Sequence, residues 1–350
     1  MLQFVIYHKL YGMFITRIFG GTIAVQCYAA RLVTFAFSVF LIYKAIKLIP
    51  FKKIVVLFLA LLPLSIQEIA SMSTDALIIS TSLFYTSYIL YLKYDRNKKE
   101  ILKKDIAILS FFSIVIALCK IVYLPLCLLL FILPNEKFKS AKIKRKIIIS
   151  ILTAAILLNL IWLIYCSRFL IEFNIGVNSG EQVKYILTHP IDYIFILFRT
   201  INMTFQTSIV GLCGEGLGVY DVQASVIFIC PCILMFAMLF IINDEKEVKI
   251  DSFTKLMCLF VFLSIVLLIY TSLYIQWTSL QRPIIHGVQA RYFLPILLLM
   301  AIVLNNHKIE FNEKLSKKYV YLFMLFLNLN VVAVTFFTYI KGVGAGIGIE

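Results

Sequence analysis

Residues 106–133 read IAILSFFSIVIALCKIVYLPLCLLLFIL, an apolar run that is interrupted near its middle by Lys120. A cluster of six basic residues flanks the run on each side. The clusters are Lys93, Arg96, Lys98, Lys99, Lys103 and Lys104 before the run, and Lys137, Lys139, Lys142, Lys144, Arg145 and Lys146 after it. Because Lys and Arg favour the cytoplasmic side of a bilayer, a single spanning helix would leave one cluster on the wrong side. We therefore expect the run to turn back at Lys120, with both ends in the cytoplasm.

The length of each half supports a turn that lies inside the membrane. Each half has about 14 residues and would reach roughly 21 Å as an α-helix, which is short of the ~30 Å hydrocarbon core of a bilayer. Irregular backbone at that depth is tolerated only where protein covers it or where it lines a wet cavity. The sequence therefore predicts a short, partly re-entrant helix pair with Lys120 at its tip.

The composition of the chain is that of an integral membrane protein. Apolar residues make up 62% of the chain and the mean hydropathy is +0.96, whereas soluble domains have about 45–50% apolar residues. The apolar runs predict an all-α, polytopic helical bundle of about eight spanning helices plus the re-entrant pair. The expected spans are 22–46, 54–72, 75–92, 147–167, 222–242, 256–276, 291–306 and 319–340.

Basic residues outnumber acidic ones, 33 to 18, and most of them lie in short clusters between the apolar runs. This pattern orients a multi-pass chain in a cell membrane, with membrane lipids and not nucleic acid as its surroundings. Assigning the clusters to the cytoplasm gathers the unusual polar residues at the outer face. These are Glu68, Asp75, Lys120, Arg168, Glu172, His189, Asp192, Arg199, Glu215, Asp221, Arg282, His286 and Arg291. We expect any functional site at that face.

We expect one transmembrane domain over residues 1–350. Residues 1–21 contain charged side chains and no cleavable signal sequence, so they predict an interfacial amphipathic segment. The longest connection, 168–220, is expected to be an outer loop that carries short interfacial helices at 181–187 and 191–208.

Several familiar kinds of site find no support in the sequence. The eight cysteines have neither metal-ligand nor disulfide spacing, and we interpret them as small core residues. The glycine-rich stretch 211–218 is not followed by Lys-Ser or Lys-Thr, so it does not match a nucleotide-binding P-loop. Because no two histidines have the spacing of a metal site either, we expect neither a metal nor another cofactor.

The segment HGVQARYFLP at residues 286–295 places Arg291 at the start of an apolar run. An arginine is costly in hydrocarbon and usually faces a partner, a cavity or an anionic ligand. Together with YIQWT at 274–278, the segment resembles the signature of a bacterial membrane-protein family catalogued as domain of unknown function 2142. Residues 63–75 and 119–125 are similar to two further patches of that family, in the same order along the chain.

The resemblance implies a fold similar to that of the GT-C glycosyltransferases, which take sugars from polyprenyl-phosphate carriers on the outer side of a membrane. Family members usually begin with a membrane helix and an outer loop with a Pro-Asp-Glu sequence and a downstream histidine, and in GT-C enzymes the first outer loop supplies the catalytic carboxylate. This chain has neither, and Ala290 stands where the family usually has glycine. We therefore expect a truncated gene product, or a downstream start codon, with little or no sugar-transfer activity.

Five residues are predicted to bind the lipid phosphate or its sugar. Arg291 is the first of them, and its alternative role is an interfacial anchor beside Tyr292. Lys120 at the hairpin tip is expected to meet an anion, which is either a lipid phosphate or, in a structural pair, Glu68 or Asp75. The other predicted binding residues are Tyr123, Gln289 and Tyr292.

Two carboxylates are candidates for a catalytic base. Glu68 and Asp75 lie at opposite edges of the turn between two expected spans, where Ser73 or Thr74 is expected to cap the second helix. The alternative role for Asp75 is to complement the dipole at the start of that helix.

The leading functional hypothesis is a membrane-embedded, GT-C-like glycosyltransferase-type protein that binds a polyprenyl-phosphate-linked sugar and serves cell-envelope polysaccharide or glycoconjugate assembly. In such chemistry a carboxylate deprotonates or orients the acceptor hydroxyl, and cations stabilise the departing phosphate. One alternative is a transporter or flippase of cell-surface polymer precursors, which also needs cations in a membrane cavity. Inverted repeats would favour it, and the hydropathy order shows none. The other alternative is a non-catalytic assembly subunit.

Overall fold

A computed structural model of the protein describes residues 22–168, 176–245, 248–310 and 313–339. The expected interfacial segment 1–21 lies outside the described residues. So does the stretch 169–175 of the expected outer loop, which includes Glu172.

Helices make up 77% of the described residues. The α-helices are α1 (Ile23–Leu48), α2 (Lys53–Leu61), α3 (Pro63–Ile69), α4 (Thr74–Tyr94), α5 (Lys103–Cys119), α6 (Ala141–Ser167), α7 (Ser179–Thr188), α8 (Pro190–Leu212), α9 (Val226–Ile241), α10 (Ser252–Gln276), α11 (Leu297–Val303) and α12 (Glu313–Tyr339). The 3₁₀ helices are Ile121–Ile132, Asn135–Lys137, Ala290–Tyr292 and Leu294–Ile296. Two short parallel strands, β1 (Ile242–Asn243) and β2 (Asn306–Glu310), pair with each other.

Five helices are long and apolar enough to cross a membrane, which confirms the all-α membrane bundle. They are Ala24–Leu48, Thr74–Tyr94, Ala141–Ser167, Ser252–Gln276 and Lys317–Tyr339. Shorter apolar helices cover Ile121–Ile132, Val226–Ile241 and Ala290–Val303. The expected total of eight spans stays a prediction.

One expected span, 54–72, is broken into α2 and α3 at Leu62 and Pro63. Proline has no backbone N–H and is disfavoured inside a helix but accepted in its first turn. Pro63 accordingly occupies the first turn of α3. The break redirects the chain so that Glu68, near the end of α3, comes close to the start of α4.

Polar residues cap several helices at the boundaries that the structure shows. The side chains of Ser140, Asn178 and Asp251 each accept a hydrogen bond from the backbone N–H three residues further on, at the starts of α6, α7 and α10. Serine, asparagine and aspartate are favoured at this position because they satisfy a free N–H of the first turn.

The predicted turn at Lys120 is present. Helix α5 ends at Cys119, Lys120 is extended, and the chain returns as the 3₁₀ helix Ile121–Ile132. The two arms run antiparallel, because the thiol of Cys127 donates to the carbonyl of Ser113 at 3.9 Å. At the open end, the backbone N–H of Ile101 donates to the carbonyl of Lys137 at 3.0 Å. The two basic clusters therefore lie side by side, as a re-entrant hairpin requires.

Helix α4 is the centre of the bundle. Of its most apolar 18 residues, 89% are buried, against 17–28% in the other four long helices. Small hydroxyl side chains such as Ser80, Thr81 and Ser87 are fully or almost fully buried along it. Small residues let neighbouring helices approach closely in a membrane. The first turn of α4 carries Asp75 into the interior of one end of the bundle.

The opposite end of the bundle is closed by interactions of the basic loops. Lys93 pairs with Asp251 at 2.6 Å and Lys98 pairs with Asp105 at 2.7 Å. The ammonium of Lys52, itself fully buried, donates to backbone carbonyls at the end of α9. Positive charge near a helix C-terminus is favourable. The loops that the sequence assigns to the cytoplasm thus share one end of the bundle.

Helix α8 is joined to α10 by two side-chain hydrogen bonds. The hydroxyls of Tyr193 and Thr271 are 2.7 Å apart, and those of Thr204 and Tyr270 are 2.8 Å apart. These contacts are separated by about three helical turns on α8 but are made by neighbouring residues on α10. Although α8 has 23 residues, it is not one of the five candidate spans. An interfacial position for α8 stays our prediction.

Candidate functional site

Four charged side chains meet at the end of the bundle opposite the basic loops. Glu68 comes from the end of α3, Asp75 from the first turn of α4, Lys120 from the hairpin tip, and Arg291 from the 3₁₀ turn Ala290–Tyr292. Each of these segments ends or reverses at this level of the bundle, which is why residues from distant parts of the chain come together. We call Glu68, Asp75, Lys120 and Arg291 the ionic cluster.

Asp75 is the central member of the ionic cluster. Its Oδ1 accepts a hydrogen bond from the ammonium of Lys120, and its Oδ2 lies 3.5 Å from Nε of Arg291. Glu68 Oε1 accepts from Nη1 of Arg291 at 3.4 Å. The two carboxylates are almost fully buried, whereas the side chains of Lys120 and Arg291 are 26% and 34% exposed. The carboxylates therefore form a floor, and the cations form the accessible layer above it.

The structural pair that was the alternative for Lys120 is present in the structure. An acid neighbour for each cation is invisible in the sequence because Asp75 lies 45 residues from Lys120 and Glu68 lies 223 residues from Arg291. In the folded protein both cations nevertheless have acid neighbours. With two acids and two bases, the cluster is balanced in charge without an added anion, which satisfies the requirement that buried charges be paired.

Arg291 is paired only loosely. Its contacts with the two carboxylates, at 3.4 and 3.5 Å, are longer than the roughly 2.7–2.9 Å that is usual for charge-assisted hydrogen bonds. Its Nε is buried and has no hydrogen-bond partner among the described residues. The guanidinium therefore has donor capacity left for a ligand.

Tyr292 supports both cations through its ring. The ammonium of Lys120 lies 5.0 Å from the ring centroid, and the guanidinium carbon of Arg291 lies 5.6 Å from it. Cations within about 6 Å of an aromatic face are attracted by its quadrupole. The role of Tyr292 in the structure is to hold the two predicted ligand-binding cations side by side.

Two serines in the turn between α3 and α4, which we call the serine turn, hold Glu68 by hydrogen bonds. The hydroxyl of Ser73 donates to Glu68 Oε2 at 3.3 Å, and the hydroxyl of Ser71 donates to the carbonyl of Glu68 at 2.7 Å. Ser73 is the N-cap residue of α4, but its side chain makes no capping hydrogen bond. The expected capping serine is thus used to hold a carboxylate of the ionic cluster.

The two other predicted binding residues lie at the edge of the cluster. Tyr123 is fully buried, and its hydroxyl donates to the carbonyl of Tyr292 at 2.9 Å, so it positions the segment that carries Arg291. The side-chain amide of Gln289 donates to the hydroxyl of Tyr220 at 2.8 Å. Tyr220 belongs to a turn that the sequence analysis did not connect with the site.

That turn, residues 217–222, lies beside the cluster and is fixed from two sides. The backbone N–H of Gly218 donates to Gln67 Oε1 at 2.8 Å. On the far side the hydroxyl of Tyr339 donates to Asp221, and this hydrogen bond lowers the pKa of the exposed Asp221 carboxyl. Gln67 and Tyr220 are the residues that sequence reasoning missed. The glycine-rich stretch 211–218 was a visible signal of an unusual loop, but not of its neighbours.

Two glycines allow close approach of the segment before Arg291 to its neighbours. Gly287 has φ +82°, and a Cβ added there would lie 2.5 Å from Cδ1 of Trp277. A Cβ added at Gly211 would lie 2.8 Å from the Cβ of Ala290. The methyl group of Ala290 is therefore accommodated because residue 211 is glycine. Both contacts fix the path of the segment that leads into Arg291.

Among the described residues, neither His189 nor a group of metal ligands belongs to the ionic cluster. His189 stacks on Tyr185 at a centroid distance of 4.9 Å, away from the ionic cluster. Within the described ranges, no group of three His, Cys, Asp or Glu side chains is arranged to hold a metal ion.

Comparison with known proteins yields a match to the sequence model of a protein family. Neither a curated protein nor a solved structure matches the chain. The sequence model of a family described as predicted membrane protein, DUF2142, matches residues 4–300. This match covers most of the chain, including every member of the ionic cluster and both of the patches that meet at Trp277 and Gly287. The chain therefore belongs to the DUF2142 family of predicted membrane proteins.

Proposed function

We propose that this chain is a membrane-embedded, GT-C-like glycosyltransferase-type protein that binds a polyprenyl-phosphate-linked sugar at the ionic cluster. The observation that carries the proposal is the state of Arg291, which is partly exposed and contacts its two carboxylates only at 3.4 and 3.5 Å. Arginine binds phosphate well because its planar fork meets two oxygens at once. Lys120 beside it adds a second positive charge.

The arrangement of charges suits transfer of a sugar from a lipid phosphate. Cations above the floor would stabilise the phosphate as its bond to the sugar breaks. A carboxylate below would accept the proton of the attacking hydroxyl or orient it. Asp75 is the first candidate for this role because it contacts both cations of the cluster. Glu68, ordered by the serine turn, is the second candidate for this role.

The side of the membrane follows from the distribution of basic residues. The ionic cluster and the basic loops occupy opposite ends of the bundle. Because basic loops favour the cytoplasm, we propose that the cluster faces the outside of the cell membrane. That is the side where a lipid-linked sugar would be consumed in cell-envelope assembly.

A transporter or flippase is the second candidate, and α4 supplies the observation in its favour. The hydroxyls of Thr81, Ser82 and Ser87 are buried and have no hydrogen-bond partner within the described part of the chain. They lie between Asp75 at one end of α4 and Tyr88, which donates to Asp105, towards the other. Polar groups through the centre of a membrane protein often mark a substrate or ion pathway.

Binding of a lipid phosphate tests the leading proposal directly. The full chain in lipid nanodiscs is titrated with citronellyl phosphate, a short-chain polyprenyl phosphate. We expect saturable binding that Arg291→Ala weakens by roughly thirtyfold, which corresponds to about 2 kcal/mol for a charged hydrogen-bonding partner. Lys184→Ala is the matched control, since Lys184 is an exposed cation outside the cluster.

Two results would contradict the proposal. Wild-type protein that binds no citronellyl phosphate would remove the lipid-phosphate site. Equal binding by wild type and Arg291→Ala, together with less Arg291→Ala protein inserted in membranes, would show that Arg291 is an interfacial anchor.

A further inference from the structure

Tyr220 adopts a backbone conformation that is unusual for its side chain. Its φ is +68°, in the left-handed region that bulky residues rarely enter. Such strain persists where the surroundings fix the backbone, and it concentrates at functional sites. Here the surroundings are the hydrogen bonds from Gly218 to Gln67 and from Tyr339 to Asp221. The turn therefore holds Tyr220 in one place beside the ionic cluster.

The position of Tyr220 fixes the side-chain amide of Gln289. The amide nitrogen donates to the Tyr220 hydroxyl at 2.8 Å, which determines where the amide oxygen points. That oxygen, Oε1, is buried and has no hydrogen-bond partner among the residues described. A buried acceptor without a donor is unfavourable, so the site is incomplete as it stands.

A second buried atom without a partner lies two residues further along the chain. It is Nε of Arg291, a donor. The edge of the cluster thus offers an acceptor without a donor and, 3.5 Å from Asp75 Oδ2, a donor that makes no hydrogen bond. A ligand that satisfies both needs a donor, such as a hydroxyl group, for Gln289 and an acceptor, such as a phosphate oxygen, for Arg291.

We infer that Tyr220 and Gln289 form a subsite for the sugar of a glycosyl phosphate, next to the phosphate site at Arg291. A sugar attached to a phosphate has hydroxyl groups beside acidic oxygens, whereas a bare polyprenyl phosphate supplies no neighbouring sugar hydroxyl. The ring of Tyr220, 66% exposed, adds an apolar face for the C–H groups of a sugar. This inference rests on the proposed function, and it makes Tyr220 and Gln289 the residues that distinguish a loaded carrier from an empty one.

The test compares loaded and empty carriers on the full chain in nanodiscs. The probes are citronellyl phosphate and its phosphodiesters with glucose, mannose, galactose and N-acetylglucosamine. We expect wild type to bind at least one ester more tightly than citronellyl phosphate. Tyr220→Phe and Gln289→Leu should each reduce that preference by roughly fivefold, the effect of one lost hydrogen bond, and should leave the affinity for citronellyl phosphate unchanged. Val219→Ala alters an 84% exposed side chain of the same turn and should change neither affinity.

The outcomes that would contradict the sugar subsite differ from those that would contradict the phosphate site. Arg291-dependent binding of citronellyl phosphate with no preference for any ester would overturn the sugar subsite and leave the phosphate site standing. A preference that survives both Tyr220→Phe and Gln289→Leu would also overturn it. Absence of binding to every probe would overturn both. If Gln289→Leu does not fold, Tyr220→Phe removes a single oxygen from an exposed side chain and still decides the question.

Discussion

At the scale of single residues, the chemistry of this protein depends on how Arg291 is paired. Lysine in its place would keep the charge but would lose the fork that meets two oxygens. The two carboxylate contacts of Arg291 are made by different nitrogens, Nη1 and Nε, and a single ammonium cannot occupy both positions. Ligand binding should therefore require an arginine at position 291 and not just any positively charged side chain.

We predict that Arg291→Lys weakens binding of citronellyl phosphate nearly as much as Arg291→Ala does, by about 2 kcal/mol. The physical reason is the loss of bidentate contact with the phosphate. Isothermal titration of the two variants in nanodiscs provides the comparison, and Lys184→Arg serves as the control for a surface cation. Wild-type affinity in Arg291→Lys would show that charge alone is recognised.

The sequence predicted the members of the cluster but only part of their pairing. Arg291, Lys120, Glu68 and Asp75 were each identifiable as charges inside or beside apolar runs. The pairing of Lys120 with Glu68 or Asp75 was one of its predicted alternatives, and the pair with Asp75 is present. The partners of Arg291 were not identifiable, because its ion pairs join segments that only the packing of the helices brings together. The neighbours Gln67 and Tyr220 were missed for a related reason: the conformation of a glycine-rich turn is set by tertiary contacts instead of by periodicity.

At the scale of elements, the hairpin shows how far charge patterns determine topology. Two equal basic clusters and a lysine between them predicted the turn, and the structure has the turn at that residue. The second arm is a 3₁₀ helix instead of the expected α-helix. Pro125 lies inside this arm, and proline disrupts α-helical hydrogen bonding. Similarly, Pro63 was visible in the sequence, but the apolar run around it concealed the break between α2 and α3.

We predict that both ends of the hairpin face the cytoplasm. Single cysteines at Lys99 and Lys142, introduced into a cysteine-free background, should resist a membrane-impermeant maleimide in intact cells and react after the cells are opened. A cysteine at Lys184, on the proposed outer side, should react in intact cells and is the positive control. Labelling of only one of the two hairpin positions would indicate a single spanning helix.

At the scale of the whole molecule, the two ends of the bundle are built differently. The end with the ionic cluster combines buried acids with partly exposed cations and a strained turn. The end with the basic loops is closed by ion pairs that tie one helix to the next, among them Lys98 with Asp105 and Lys93 with Asp251. The ion pairs of the cluster differ in including partly exposed cations, which fits our proposal that this end binds the ligand.

We predict that the stability of the bundle falls in acid partly through Asp105. Burial of the Asp105 carboxyl opposes ionisation, but hydrogen bonds from Lys98, Tyr88 and the Leu102 N–H outweigh it and lower the pKa of Asp105. A carboxyl with a lowered pKa stabilises the fold above its unfolded pKa, and this stabilisation is lost as the pH falls through the folded pKa.

Thermal unfolding of the detergent-solubilised protein between pH 7 and pH 3 measures this effect. At pH 7, Asp105→Asn should lower the unfolding midpoint by roughly 3 °C, from the loss of charged hydrogen bonds, and the variant should be less sensitive to acid than wild type. Glu181→Gln, at an exposed surface pair, is the control. A variant with the full acid sensitivity of the wild type would show that Asp105 is not the group responsible.

Asp75 precedes Lys120 by 45 residues, so during synthesis the acid reaches the membrane before the base. A lysine at the tip of a nascent hairpin would otherwise have to remain in water or enter hydrocarbon unpaired, which is costly. If α4 is already inserted, the Asp75 carboxylate is available to Lys120 as soon as the hairpin is synthesised. Arg291 is synthesised later and then pairs with the same Asp75 carboxylate. We therefore expect insertion of the hairpin to depend on the earlier insertion of α4. A nascent chain without the Asp75 carboxylate should leave its hairpin at the membrane surface, where quality-control proteases can cut it.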